Sequence, residues 1–305
     1  MTPTVTRWLD SLPNPRTRAT YAAGLEAFMR HAHISVDAQL QAANTRQVRA
    51  YLNSLRDSGQ QPGTVNNRRA AIAAFYRYAE TTEGWPANPA ARIKATKVSA
   101  YGHARYPSTD QVRQLLAVIP SDTAAGLRNL AIILGMYTTT RRINEWIQLR
   151  WSDIQHGPNG HWFTYTAKGG LEDRQAIPSD LWRIVETWLR FDGRYPPAAD
   201  AYIFTPVSPS DGRHISAGYI RQVLRKYGKL AGLPAELCHP HGLRHAGARA
   251  RKAAGQSPWE LQKVLSHKNI RTTMIYTDTV LDEPADQIGD ALVSAVLPAK
   301  FADSR

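Results

Sequence analysis

Apolar residues recur at helical spacing along most of the chain. Over 17–32, Tyr21, Leu25, Phe28 and Met29 fall at i, i+4, i+7 and i+8, one face of an amphipathic helix. A second helix is expected over 45–56, where Val48, Tyr51, Leu52 and Leu55 share a face; Ser58-Gly59 and Pro62-Gly63 mark the turn after it. A third, over 64–80, sets Ile72, Phe75, Tyr76 and Ala79 inward and Arg68, Arg69 and Arg77 on its other face. Arginines so placed usually mark a solvated face, and the three are also candidates for contact with a phosphate backbone. Residues 1–91 therefore read as an all-helical domain. The stretch Gly84-Trp85-Pro86-Ala87-Asn88-Pro89 breaks the pattern, and 92–107 has no periodicity. It carries Arg92, Lys94, Lys97 and Arg105 among small residues, as a basic linker crossing a phosphate backbone would.

A second domain is expected over 108–305. Ser108 and Gln111 form a capping box ahead of Val112, Leu115 and Leu116. A strongly apolar helix over 126–136 should be its buried centre. The segments 161–166 and 174–177 flank Lys168-Gly169-Gly170 and predict a small antiparallel hairpin. Helices resume over 179–190, 216–231, 241–254 and 258–265. The last opens with Ser257-Pro258-Trp259-Glu260: a cap, a proline at the first helical position and a glutamate at the third. In the tail, Ile288, Leu292, Val293, Val296 and Leu297 are roughly helical in spacing. The class is mainly α with a small antiparallel β-hairpin, that is, α+β.

Composition narrows the function. With 43% hydrophobic residues the 305-residue chain can bury real cores, and no apolar run approaches the ~18 residues of a membrane span. The start, MTPTVTRWLDSL, has no signal-peptide features. The single cysteine, Cys238, excludes an intramolecular disulfide and fits a reducing cytoplasm; it reads as a packing residue. Lysine plus arginine number 38 against 25 acidic residues, a net charge of +13, and such a field attracts a polyanion, most commonly nucleic acid.

The C-terminal half holds a set of cationic and nucleophilic residues: Arg142 at the start of an amphipathic segment, Lys168 at a hairpin tip, His241 and Arg244 three apart on one helix, His267, and Tyr276. Alone, each has a structural reading: Arg142 as the partner of Glu145, Lys168 as a solvated tip, Tyr276 as a core aromatic. No matched carboxylate set is present to hold a metal. His241 and His245, with His239 nearby, suggest a zinc helix, but Gly242 stands where that helix needs glutamate. His245 is read as structural or as supporting its neighbours. As a set, these residues suit an anionic phosphoryl transition state. Arginine forks bind its non-bridging oxygens, a lysine protonates the departing alkoxide, and a phenol activated by cationic neighbours is the nucleophile.

The stretch Thr140-Arg141-Arg142-Ile143-Asn144-Glu145 through Leu149-Arg150-Trp151-Ser152-Asp153-Ile154 resembles the first arginine box of the tyrosine recombinase (phage integrase) family. Lys168-Gly169-Gly170 with Arg174 is similar to its hairpin lysine, and His241-Gly242-Leu243-Arg244-His245 to its His-x-x-Arg box. Leu265-Ser266-His267 with Thr272-Thr273-Met274-Ile275-Tyr276 is similar to the segment of its third histidine and nucleophile. The helical N-terminal domain resembles the family's core-binding domain, so the likeness covers nearly the whole chain in a two-domain, Xer-like layout.

The resemblance implies a site-specific recombinase with no cofactor, whose two domains clamp double-stranded DNA. Tyr276 would form a 3′-phosphotyrosyl bond and Lys168 would protonate the leaving 5′-oxygen. Arg142, Arg244 and His267 would stabilise the phosphorane, with His241 as base or orienter of the tyrosine. It further implies a tetramer on paired sites whose C-terminal helix docks on a neighbouring protomer, accessory directionality proteins, and a cytoplasmic, nucleoid-associated location. Two departures stand out: Arg141 occupies a position usually small or apolar in the family, and Ser266 one usually glycine. No arm-binding domain is expected before residue 1. The rival readings are a type IB topoisomerase, a non-catalytic DNA-binding regulator and, for want of a stacking-aromatic motif, less favourably an RNA-binding protein.

Overall fold

The computed structural model describes residues 1–96, 105–157, 160–166, 172–207, 212–265 and 285–298. It divides into two compact units, Met1–Gly102 and His103–Arg305.

The first unit is helical: α1 (Pro3–Ser11), α2 (Pro15–His31), α3 (Asp37–Gln41), α4 (Thr45–Asp57) and α5 (Pro62–Thr82). Its core joins Leu25, Phe28, Val48, Leu52, Ile72, Phe75 and Tyr76, from the inward faces read from the spacing, with Trp8 of α1 and Leu40 of α3. Prolines open helices here more than they break them. Pro15 follows the Asn14 cap, and α5 begins at Pro62, two residues before the expected start, because a first-turn N–H has no helical partner to lose. The short α1 and α3 lie within a span read as helical but fell outside the three helices singled out. Residues 92–96 pack on this unit. Ile93 is buried, its carbonyl accepts from Arg69 Nη1 at 2.9 Å, and Asn66 and Thr96 exchange side-chain-to-backbone hydrogen bonds at 2.9 and 2.8 Å.

The second unit contains α6 (Thr109–Ala117), α7 (Ala124–Thr138), α8 (Ile143–Ile147), β1 (Ile154–Gly157), β2 (Gly160–Thr166), β3 (Glu172–Ile177), α9 (Ser179–Phe191), α10 (Ala217–Leu230), α11 (Pro240–Ala253), α12 (Pro258–Leu265) and α13 (Ala285–Val296). The Ser108–Gln111 capping box closes as expected, with hydrogen bonds of 2.9 and 3.2 Å. α7 is buried from Gly126 to Thr138 and is the central helix of the domain. Gly135 allows Trp146 of α8 to lie on it: a Cβ there would stand 2.3 Å from the indole. The expected hairpin gains a third strand, giving an antiparallel sheet of order β1-β2-β3 with Phe163 opposite both Ile154 and Gln175. Cys238 packs against Gly228, where an added Cβ would sit 2.1 Å from its sulfur.

The tail corrects one expectation. Ile288, Leu292, Val293 and Val296 of α13 are buried in their own domain's core, not presented to a neighbour. Arg113 Nε donates to the Ala295 carbonyl at 2.9 Å, and the backbone N–H of Ser179 donates to Asp290 at 3.0 Å. An apolar stripe does not say whose core it fills.

Candidate active site

The site is organised around the turn from α7 to α8. The last carbonyls of a helix have no partner within it, and here that of Thr138 and the two that follow it are held from elsewhere. Arg251 of α11 donates to Thr138 from Nε and Nη2 at 2.8 and 2.6 Å, Gln175 of β3 to Thr139 at 3.0 Å, and Arg244 of α11 to Thr140 at 2.5 Å. Thr140 has φ +53°, a left-handed conformation that disfavours a β-branched side chain. Neither Arg251 nor Gln175 was among the candidates read from sequence. Arg251 lies two turns beyond Arg244 on the same helix, so spacing could have pointed to it; nothing in sequence singles out Gln175.

The two arginines that follow face different surroundings. Arg141 is 1% exposed, with its guanidinium 4.2 Å from the centre of the Tyr165 ring, and burial pulls its pKa below the usual value. Arg142 caps α8. Its backbone N–H and Nη1 donate to the two oxygens of Glu145 at 3.0 and 2.8 Å, and 41% of its side chain is exposed. Of the adjacent pair, Arg142 carries the head that a phosphate can reach, and Arg141 fills the apolar slot.

α11 supplies the next two groups. Its N-cap, His239, accepts from the Gly242 N–H through Nδ1 at 2.9 Å. Pro240 then takes the first helical position, and helical spacing puts His241, Arg244 and His245 on one face. Arg244 is 5% exposed and also donates to the Leu265 carbonyl at 2.6 Å, tying the end of α12 to the Thr140 turn. Gly247 makes this close approach possible, since a Cβ there would lie 1.9 Å from the Tyr137 carbonyl oxygen. His241 and His245 face each other with Nε2 atoms 2.8 Å apart. Burial, then Arg244, His239 and Arg142, lower the pKa of His241; burial, then His241, Arg244, His239 and Arg249, push His245 down to about 4. The result is two arginines acting on an imidazole that burial and charge keep neutral, a surrounding suited to binding an anion.

Lys168, His267 and Tyr276 lie outside the described residues. Among the candidates for DNA contact, Arg77, Arg92 and Lys94 are exposed, Arg68 is half-buried, and Lys97 is outside the described residues. Arg69 serves its own fold through the Ile93 carbonyl, and Arg105 pairs with Glu236 at 2.7 Å.

The phage integrase family model matches residues 106–281, and that of the phage integrase N-terminal SAM-like domain matches 5–83. This chain belongs to the phage integrase family. Among curated relatives, the tyrosine recombinase XerC of Actinobacillus pleuropneumoniae serotype 7 (strain AP76) is 28% identical over 239 residues, 78% of this chain and 74% of the relative. Among solved structures, the XerH site-specific recombinase in a post-cleavage complex with palindromic difH substrate aligns with a TM-score of 0.68 at 20% identity, covering 85% of this chain and 75% of that one. A lambda integrase tetramer bound to a Holliday junction aligns with a TM-score of 0.66 at 20% identity, covering 92% and 79%. These likenesses establish a shared fold, and the family is one of tyrosine recombinases, which cleave and rejoin DNA.

Proposed function

We propose that this phage integrase family member is a site-specific DNA recombinase in which Tyr276 attacks the scissile phosphate. The phenol becomes a 3′-phosphotyrosyl ester as the 5′-oxygen leaves with a proton from Lys168. Arg142, Arg244 and His267 hold the charge that builds on the non-bridging oxygens, where preorganised donors each supply ~10²–10³ in rate. His241 takes the phenolic proton or orients the phenol. Attack by the 5′-hydroxyl of a partner strand then restores the phosphodiester and releases the tyrosine. Bond energy is kept in the ester, so the cycle balances without ATP.

The observation that carries this reading is the gathering of His241 and Arg244 of α11 with Arg142, at a turn whose carbonyls are fixed by Arg244 and Arg251. A family likeness alone would leave open a protein that kept the fold and lost the chemistry. Double-stranded DNA is the partner, with affinity and register from phosphate contacts such as those of Arg77, Arg92 and Lys94, and paired sites held by a tetramer. The test is a covalent trap: protein and source genomic fragments are mixed in EDTA and denatured in detergent, and wild type is compared with Tyr276→Phe. Adducts that vanish in the variant support the reading; adducts that persist move the nucleophile elsewhere. DNA relaxation without recombination between two sites would assign a topoisomerase instead.

A further inference from the structure

The proposed chemistry makes no use of His245, yet this side chain lies within hydrogen-bond distance of His241. The Nε2 atoms are 2.8 Å apart, the ring centroids 4.2 Å, and the planes cross at 82°. Tyr106 lies against the far ring, its centroid 6.5 Å from that of His245. Among the described residues, Arg142 from the α7–α8 turn and His239, Arg244 and Arg249 from α11 and its cap act electrostatically on the pair, and no carboxylate is among these groups. In that field both rings are neutral at neutral pH.

Two neutral imidazoles with facing nitrogens at this distance share one hydrogen, so one Nε2 donates and the other accepts. The two arrangements differ in consequence. If His245 donates, the proton of His241 sits on Nδ1 and the lone pair of its Nε2 is taken up by the His245 N–H. If His241 donates, its Nδ1 is bare and can take a proton. Resting on the reading of His241 as the group that receives the tyrosine proton, we propose that His245 is a positioning residue. It accepts from His241 Nε2 and so fixes the tautomer that leaves His241 Nδ1 as the base. The arrangement follows the general logic of a base oriented by a third group. When the phenol attacks, its proton moves to Nδ1, the imidazolium forms, and its Nε2–H stays on the His245 acceptor.

The test is single-turnover DNA cleavage against pH, with DNA affinity measured separately, for wild type, His241→Ala and three replacements of His245. His245→Leu removes the acceptor and should slow cleavage by about 10–100-fold at saturating DNA, with Kd unchanged. His245→Gln offers an amide oxygen to the same N–H and should stay within about threefold of wild type. His245→Glu can only accept. Its charge raises the pKa of His241, so the acid limb of the profile should move to higher pH while the plateau survives. If the leucine variant does not fold, the glutamine and glutamate variants decide. A wild-type rate and pH profile in His245→Leu, an inactive His245→Glu, or a loss confined to Kd overturns the inference while a slow His241→Ala keeps the functional reading. If His241→Ala also cleaves like wild type, the reading of His241 itself fails.

Discussion

Arg251 closes on the carbonyl of Thr138 with two hydrogen bonds, from Nε at 2.8 Å and Nη2 at 2.6 Å, across 113 positions of sequence. The pair fixes where α7 ends, and Arg142 begins α8 four residues on. Arg251 is 4% exposed, so its worth lies in what it holds.

Arg251→Met keeps most of the aliphatic stem and leaves the Thr138 carbonyl without those two donors. Losing charged hydrogen bonds to a buried acceptor should cost about 2–4 kcal/mol, read as a lower urea midpoint at unchanged m-value. Cleavage should fall further than DNA affinity, because the turn that loosens is the one that aims Arg142.

Thr140 gives the opposite expectation. Its φ of +53° is costly for a β-branched residue, and its buried hydroxyl oxygen has no hydrogen-bond partner among the described residues. Thr140→Gly relieves both and keeps the carbonyl that Arg244 holds. The variant should be stabilised by about 1 kcal/mol, a rise of about 2–4 °C in Tm by calorimetry. A fall in Tm would mean that the methyl group, packed near Gly247, outweighs the strain.

The placement of Arg142, His241 and Arg244 was legible in sequence because these residues sit on periodic elements with clear start signals. The Ser108 and Ser257 caps, the His241–Arg244 spacing and the Phe163-bearing hairpin all follow from local chemistry. Arg142 over Arg141 was a choice of register, and burial explains it: one guanidinium lies under Tyr165, the other on Glu145 at the surface. Long-range capping was not legible. Spacing puts Arg251 on the Arg244 face of α11, but that it and Gln175 serve carbonyls on a distant turn is not marked, since a backbone acceptor leaves no trace in sequence. The destination of α13 was hidden for a similar reason, since spacing shows that a face is buried but not against what.

His245 sets a pH dependence of stability. Its folded pKa of about 4 lies below the ordinary 6.5, so the unfolded chain binds the extra proton. Its contribution is fully present above pH 6.5 and is lost as pH falls toward about 4; His241, also lowered, acts in the same direction. Urea midpoints from about pH 7.5 to about pH 4.5 should fall less steeply in His245→Leu than in wild type. Parallel slopes would place the acid sensitivity in other groups.

The burial of α13 changes what its substitution should do. Leu292 and Val296 are 5% and 0% exposed within the domain that carries the site. Replacing both by alanine should cost the catalytic domain several kcal/mol, about 2–5 for the leucine alone, and lower its Tm before any question of assembly arises. An unchanged Tm with loss of recombination alone would restore a docking role between protomers.

Gly247 tests the geometry most sharply. Any side chain there meets the Tyr137 carbonyl oxygen at 1.9 Å and Thr140 Cγ2 at 3.0 Å, and the first is rigid backbone. Gly247→Ala must therefore push α11 away from the end of α7. Alanine is the better helix former by up to about 1 kcal/mol, so propensity alone predicts a gain in stability. Overpacking predicts a loss of about 1–3 kcal/mol, and a contact this short against backbone should decide for loss. The displaced helix carries His241 and Arg244, while Arg142 stays with α7, so even a retained fold would separate the groups. A shift of about 1 Å costs ~10² in rate. The expected variant is folded by circular dichroism, lower in Tm, close to wild type in DNA affinity, and slowed in cleavage by about 100-fold or more. Normal cleavage would mean that the α7–α11 contact does not set the register of the two arginines.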